Sequence, residues 1–271
     1  MTEEDYAKNT FDEVANNYDE IPFFKISAQY LAQIVKREME DEVFTVLDVA
    51  CGTGNVILEC AKQLPKASFE GIDISEGMLA KARANAQVLH LDNVNFKLQD
   101  ITKLESEKKY DVITCAYALF FLPEVEKVLS TLVACLKPEG RVIFTSFLAK
   151  AFAPSVEILM PLLVAEGSES AKAYEADKWE NLKRIEDIEH LCQLAGVENY
   201  NIMSKTIRYD MSVDEWWALM NNTGFKGMLM ELTPEGYETV KNAYYAAMFT
   251  HADMDGEVEL NADSYFVSVK A

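Results

Sequence analysis

Between residues 45 and 147 the chain repeats one rhythm: a short β-branched or aromatic run, a turn, an amphipathic stretch, then another apolar run. Each return to the sheet crosses over a helix, so the strands must lie parallel and the fold must be α/β. Strands are predicted at 45–49, 68–72, 95–98, 111–115 and 141–147, with helices at 55–64, 76–87 and 124–136. Punctuation agrees: Pro65 follows the first helix, Ser75 is placed to cap the second, and Pro123 sits where a first-turn proline is tolerated. Pro138 and Gly140 end the third. Ahead of the first strand, Ile26, Tyr30, Leu31, Ile34 and Val35 recur at helical spacing, which predicts a helix over the sheet.

After residue 147 the rhythm breaks. A helix-rich stretch at 156–183, a helix at 185–195 and a strand at 200–209 are predicted. A second insertion carries Trp216, Trp217 and a helix at 234–248, before a closing alternating run at 265–269.

The segment with most chemistry is Leu47-Asp48-Val49-Ala50-Cys51-Gly52-Thr53-Gly54, an apolar strand leading through a glycine turn into a helix. Gly52 and Gly54 permit tight backbone geometry and close approach of a ligand. Asp48 lies in an otherwise apolar strand, where an unpaired carboxylate costs several kcal/mol, so it needs a partner in the protein or in a bound cation. By itself it leaves open the plainer role of accepting amide hydrogens from the turn. Asp73 follows the second strand and Asp100 the third, so three acids stand at or near the carboxyl ends of successive strands, where open α/β sheets bind ligands. Any one of them has an alternative as a turn or cap residue. The second-strand acid of such a unit is placed to accept both hydroxyls of an adenosine ribose, which points to a nucleoside. A dinucleotide would call for a third small residue after Gly52 and Gly54, and Ile57 stands there.

These residues resemble the class I S-adenosylmethionine-dependent methyltransferases, especially the ubiquinone and menaquinone biosynthesis type, over roughly residues 11 to 147. Phe11-Asp12-x-x-Ala15-x-x-Tyr18-Asp19 looks like the family's N-terminal helix motif, and Leu47 to Gly54 like its first motif, with Ala50 where glycine is usual. Leu136-Lys137-Pro138-Glu139-Gly140-Arg141 resembles the turn before strand five, with Glu139 where glycine is common.

The resemblance implies a Rossmann-like, doubly wound sheet of seven strands in the order 3-2-1-4-5-7-6, with an antiparallel hairpin at the edge and helical cap insertions. It implies S-adenosyl-L-methionine as cofactor and methyl transfer to a small-molecule acceptor by in-line displacement. Asp48 and the backbone of Ala50, Cys51, Gly52 and Gly54 would hold the methionine end, Asp73 the ribose, and Asp100 with the Ile101 amide the adenine. Ile74 and Met78 would pack on the adenine, Ala116 and Tyr117 would face the sulfonium, and Tyr18 would close the site from the N-terminal segment. The 271 residues then form a single domain over 1–271: N-terminal helices at 1–40, a cofactor-binding core at 45–147 and cap insertions at 150–183 and 212–250. Such a displacement relies on positioning and dehydration, so the absence of a catalytic triad is no objection, and no catalytic side chain is assigned.

Charge limits the partners. Against 25 basic residues stand 45 acidic ones, a formal net charge of -20, which disfavours nucleic acid and anionic lipid. The acidic N-terminus and the lack of any apolar run of ~18 to 20 residues predict a cytoplasmic protein without membrane insertion. Five cysteines without a C-x-x-C pair argue against a disulfide framework or a zinc site. Three histidines make no ligand pair, and the acidic turn at 253–256 fails as a calcium loop at His251 and Ala262, so no metal is expected.

Phe120 and Phe121 after the fourth strand are pocket candidates by placement. The two insertions hold Trp179, Trp216 and Trp217 and are expected, with the Tyr18 helix, to form a lid over the sulfonium; ordinary covering helices or an oligomer interface are the alternatives. Tyr244 and Tyr245 share the choice between pocket and core with the tryptophans. Two other functions stay open: a non-catalytic S-adenosylmethionine-binding regulatory protein and a nicotinamide-dependent oxidoreductase. The oligomeric state is not legible.

Overall fold

A computed structural model describes residues 3–39, 43–104, 109–177 and 182–271. Two helices come first, α1 (Glu3–Val14) and α2 (Pro22–Glu38). The alternating region follows as β1 (Thr45–Val49), α3 (Asn55–Gln63), β2 (Ser68–Asp73), α4 (Glu76–Val88), β3 (Val94–Leu98), β4 (Tyr110–Ala116), α5 (Val125–Ala134) and β5 (Leu136–Phe147). The remainder is α6 (Ser155–Ala165), α7 (Glu169–Asp177), α8 (Ile185–Leu194), β6 (Tyr200–Lys205), β7 (Arg208–Ser212), α9 (Val213–Asn221), α10 (Lys226–Met230), α11 (Pro234–Met248), β8 (Glu257–Asn261) and β9 (Ser264–Lys270).

Seven strands form one sheet in the order β3-β2-β1-β4-β5-β9-β6. Counting β9 as the seventh strand of this sheet gives the anticipated 3-2-1-4-5-7-6. β1 to β5 are parallel, and β9 runs antiparallel to both β5 and β6. The anticipated edge hairpin needs correction, because residues 206–263 intervene between β6 and β9 and carry β7, α9 to α11 and β8. The single strand predicted at 200–209 is likewise two strands. β6 belongs to the main sheet, whereas β7 pairs with β8 in a separate two-stranded ribbon. The break falls at Ile207, whose amide donates to Asp263 Oδ1 at 3.0 Å and whose carbonyl accepts from the Ala262 amide at 2.9 Å.

Both faces of the sheet are covered, as a parallel sheet requires. Val46 and Ile143 point to one side, packing with Leu31, Val35, Ile57 and Leu79 of α2, α3 and α4. Leu47, Val49 and Phe144 point to the other, against Leu129 and Leu132 of α5 and Leu191 and Cys192 of α8. Each such buried aliphatic or aromatic side chain contributes about 1.5–3 kcal/mol. A third cluster lies beyond the sheet, where α6, α9, α10 and α11 pack with Phe23, Tyr117 and Phe152. Trp216 and Trp217 belong to it. Trp179 lies outside the described residues. No described helix is long and apolar enough to cross a membrane.

Candidate active site

The carboxyl ends of β1 and β4 flank the point where the strand order reverses, and the loop after β1 occupies that crevice. Ala50, Gly52 and Gly54 all take left-handed backbone conformations, with φ of +52°, +55° and +87°. Glycine adopts these freely, but an alanine there pays about 1 kcal/mol of steric strain. Glu139, the second departure from the glycines of the resembled motifs, also sits at positive φ (+66°) and is tied to Lys270 by an ion pair. Ala50→Gly is therefore expected to stabilise the protein by about 1 kcal/mol, a rise of a few degrees in Tm. A lower melting temperature would mean that the Ala50 methyl contributes packing worth more than the strain.

Asp73 is 8% exposed and holds the crevice together. Its Oδ2 accepts from the Gly52 amide at 2.8 Å and its Oδ1 from the Ser75 amide at 2.9 Å. Burial raises its pKa and these amide bonds pull it back, leaving a net upward shift. Asp100 is a turn residue at the rim, its Oδ1 accepting from the Thr102 amide and hydroxyl at 2.8 Å each and its Oδ2 pairing with Lys103 at 2.9 Å. Partial burial works against ionisation there, but Lys103 and Thr102 outweigh it and hold the carboxyl below its usual range.

Asp48 is 1% exposed and turned toward α3. Thr114 donates to its Oδ1 at 2.6 Å, while Oδ2 has no hydrogen-bond partner among the described residues. Burial pushes its pKa up to about 7, with Thr114 and the Ile57 amide opposing and the Asp73 charge adding to the rise. A folded-state pKa raised above the unfolded value means that the folded chain takes up a proton more readily, so stability is fully present below about pH 4 and is lost as pH rises toward 7. Asp48→Asn is accordingly expected to melt higher than wild type at pH 8 and to show no such gain at pH 4. Parallel pH–Tm curves for the two proteins would refute the assignment.

The N-terminal segment clamps onto this loop. Asp12 on α1 accepts from Ser75 Oγ at 2.6 Å and the Gly77 amide at 2.9 Å, joining the cap of α4, where Ser75 Oγ receives the Met78 amide as anticipated. Asp19 accepts from Thr53 Oγ1, from Asn55 Nδ2 at 3.0 Å and from Asn85 Nδ2 at 2.8 Å. Phe11 and Tyr18, each one residue before one of these anchors, are thereby held over the crevice. Tyr18 stacks on Phe24 with ring centres 4.4 Å apart. Burial and the nearby charges of Asp73 and Asp19 keep its hydroxyl protonated well above the ordinary tyrosine range.

Two chambers result. The first, about 1050 Å³ with its mouth, is lined by Tyr18, Ala50, Gly52, Asp73, Ile74, Met78, Asp100, Ile101, Ala116 and Tyr117. These are ten of the thirteen residues anticipated. The other three do not line it. Asp48 lies behind the loop. Cys51 packs into the core at 8% exposure, with its amide bonded to the Ile72 carbonyl. Gly54 is the N-cap of α3, where a Cβ would meet Leu58 Cδ1 at 3.0 Å. Ala7, Gln99, Thr102, Ala118 and Leu122 also line the chamber and carried no signal, although the last four each border a residue that did, and Pro123, expected only as a helix-start proline, lines it too.

The second chamber, about 880 Å³ with its mouth, is walled by aromatic rings: Phe23, Phe24, Phe120, Phe147, Phe152 and Phe225 beside Phe11, Tyr18, Tyr117 and Phe121. The last four line both chambers. Tyr117, at φ +53°, stacks on Phe147 with centres 4.3 Å apart, and its hydroxyl lies 2.8 Å from Oγ of both Ser27 and Ser264. Phe120 and Phe121 thus sit where their placement pointed. The tryptophans do not: Trp216 and Trp217, with Tyr244 and Tyr245, line neither chamber, and the insertions contribute Phe152, Val156, Tyr174 and Phe225 instead. One signal was available, since Phe147 ends β5 at the edge where Tyr117 follows β4.

Residues 40–211, well over half of the chain, match the family described as methyltransferase domain. A malonyl-[acyl-carrier protein] O-methyltransferase of Halalkalibacterium halodurans is 35% identical over 116 residues, 41% of this chain and 42% of that protein. A demethylmenaquinone methyltransferase of Lactococcus lactis is 27% identical over 212 residues, 72% of this chain and 84% of the relative. Matches to the malonyl-[acyl-carrier protein] enzymes span about half of their length. Among solved structures, the YcgJ protein of Bacillus subtilis shares the fold with a TM-score of 0.58 at 16% identity, over 90% of this chain and 97% of that one. The chain belongs to the methyltransferase-domain family.

Proposed function

We propose that the protein transfers the methyl group of S-adenosylmethionine to a small apolar acceptor seated in the aromatic chamber. The observation that carries this reading is the pair of chambers meeting at Phe11, Tyr18, Tyr117 and Phe121, one bordered by carboxylates and a glycine loop, the other by rings. When bound, S-adenosylmethionine supplies a methyl group on a sulfonium, open to in-line displacement. Each Asp73 oxygen holds one amide and keeps a lone pair for a ribose hydroxyl. Asp48, turned toward α3 behind the loop, does not face the cofactor's amino-acid end, beside which the Ala50 and Gly52 backbone lies instead, and among the described residues no lysine or arginine lines the first chamber to receive a pyrophosphate. Ile74 and Met78 offer apolar contact to a purine, and Asp100 with the Ile101 amide offers it polar contacts. The rings of Tyr18 and Tyr117 stabilise a cation beside them, and the aromatic walls keep water from the reacting atoms.

The relatives act, by name, on a demethylmenaquinone and on a malonyl-[acyl-carrier protein], so the apolar acceptor rests on the chamber itself. The residues at 150–183 and 212–250 serve as its cap within one domain over 1–271. All five cysteines are free and buried, which supports work in the reducing cytosol. Calorimetry should give saturable binding of S-adenosylhomocysteine and none of NADH, and incubation with methyl-labelled cofactor should label a metabolite in a cell extract. Binding without labelling would favour a regulatory ligand; NADH binding alone would favour an oxidoreductase.

A further inference from the structure

We infer that the acceptor carries an uncharged oxygen that the Ser146 hydroxyl binds inside the aromatic chamber, so that Ser146 selects an oxygenated acceptor over its hydrocarbon counterpart. Taking the chamber's occupant to be the acceptor rests on the methyl-transfer reading; the polar spot in the chamber wall does not. Ser146 is the last residue but one of β5 and lines the chamber. Its neighbours Thr145 and Phe147 are both engaged with Tyr117: Thr145 Oγ1 accepts the Tyr117 amide at 2.9 Å, and Phe147 stacks on the Tyr117 ring. Side chains alternate along a strand, so Ser146 points to the other face of the sheet, the one to which Phe144 belongs.

Ser146 is only 1% exposed, yet its hydroxyl makes no hydrogen bond among the described residues. A hydroxyl withdrawn from bulk water calls for a partner, and the chamber that Ser146 lines is where one can sit. Two other hydroxyls of this wall are already engaged. That of Tyr117 lies 2.8 Å from Oγ of both Ser27 and Ser264, and Thr223 Oγ1 donates to the Leu219 carbonyl at 2.9 Å. Most of the remaining wall is aromatic, and no carboxylate stands among the described residues that line it. A charged group entering here would give up far more hydration than one hydroxyl returns. An uncharged oxygen gives up one or two hydrogen bonds, of which Ser146 restores one.

The probes are 2-naphthol, 2-methoxynaphthalene and 2-methylnaphthalene, which share one ring system and are uncharged at neutral pH, titrated calorimetrically into the whole chain saturated with S-adenosylhomocysteine. Ser146→Ala should weaken 2-naphthol binding about 10-fold, the worth of one hydrogen bond, and leave 2-methylnaphthalene within about 2-fold of wild type. Ser146→Thr, which keeps the hydroxyl, should hold 2-naphthol better than Ser146→Ala does. The Tm of Ser146→Ala should not fall, because the hydroxyl it removes has no protein partner to lose. The methoxy compound accepts a hydrogen bond but cannot donate one: if it weakens with 2-naphthol, Ser146 is the donor, and if it does not, Ser146 receives the ligand's O–H. Unchanged 2-naphthol affinity in Ser146→Ala, or an equal loss for 2-naphthol and 2-methylnaphthalene, would overturn the inference. Failure of S-adenosylhomocysteine to bind would instead strike at the methyl-transfer reading, and the naphthyl titrations, run without it, would still decide the role of Ser146.

Discussion

Asp73→Ala is expected to weaken S-adenosylhomocysteine binding by ~2 to 4 kcal/mol, roughly 30- to 1,000-fold in Kd. Two ribose hydroxyls would lose a charged acceptor that is itself only 8% exposed. From its place after a strand alone, the residue looks dispensable for folding. The structure changes that expectation, because the same carboxylate accepts the Gly52 and Ser75 amides and so ties the glycine loop to the start of α4. Truncation leaves both amides without acceptors and should lower stability by about 1–3 kcal/mol as well. Calorimetric titration below the melting transition separates the two effects. An unchanged dissociation constant would remove Asp73 from the cofactor site and leave it a loop anchor.

Trp216→Ala should act on stability alone, with a loss of about 3–5 kcal/mol. The indole is fully buried, the largest such side chain described, and its Nε1 donates to the Val258 carbonyl at 3.0 Å, joining α9 to β8. Removing it leaves a cavity in the cluster under the helical layer and an orphaned carbonyl at the two-stranded ribbon. Trp217→Ala should cost less, since that ring is 7% exposed and leans on Tyr237, Tyr244 and Tyr245 at 5.2 to 6.0 Å. Neither tryptophan lines a chamber, so turnover per folded molecule should hold in both variants. Thermal melts beside rates at 20 °C check this. Lost turnover at an unchanged Tm would put the indoles on the acceptor's path after all.

The central fold was legible because its signals are local. β1 to β4 lie within a residue of where period and punctuation placed them, and Ser75 caps α4 through its own hydroxyl. β5 starts at Leu136 rather than at 141, because Leu136 pairs with Tyr110 across a register shift and draws Pro138 and Gly140, expected to end the helix before it, into the strand. The later chain was harder. β8 was not predicted: its alternation of glutamate and apolar residues has a strand's period, but five residues carry too little of that signal until Arg208 to Ser212 pairs with them. The split between β6 and β7 depends on Asp263, 56 residues beyond Ile207, capturing that amide. No periodicity near residue 207 announces it.

By itself the sequence determined what nearest neighbours along the chain dictate: a glycine turn after an apolar strand, acids at successive strand ends, parallel strands separated by helices. Only the tertiary structure decided which acids line the chamber and which are turned away from it, since Asp48, Asp73 and Asp100 all stand at or near strand ends and differ in what folds against them. It also decided which aromatic residues wall a chamber and which fill the core. Burying a ring releases about the same free energy per unit area whatever covers it. Phe152 and Trp216, both drawn from insertions and both buried, therefore carry no mark in the sequence that tells a cavity wall from a packed interior.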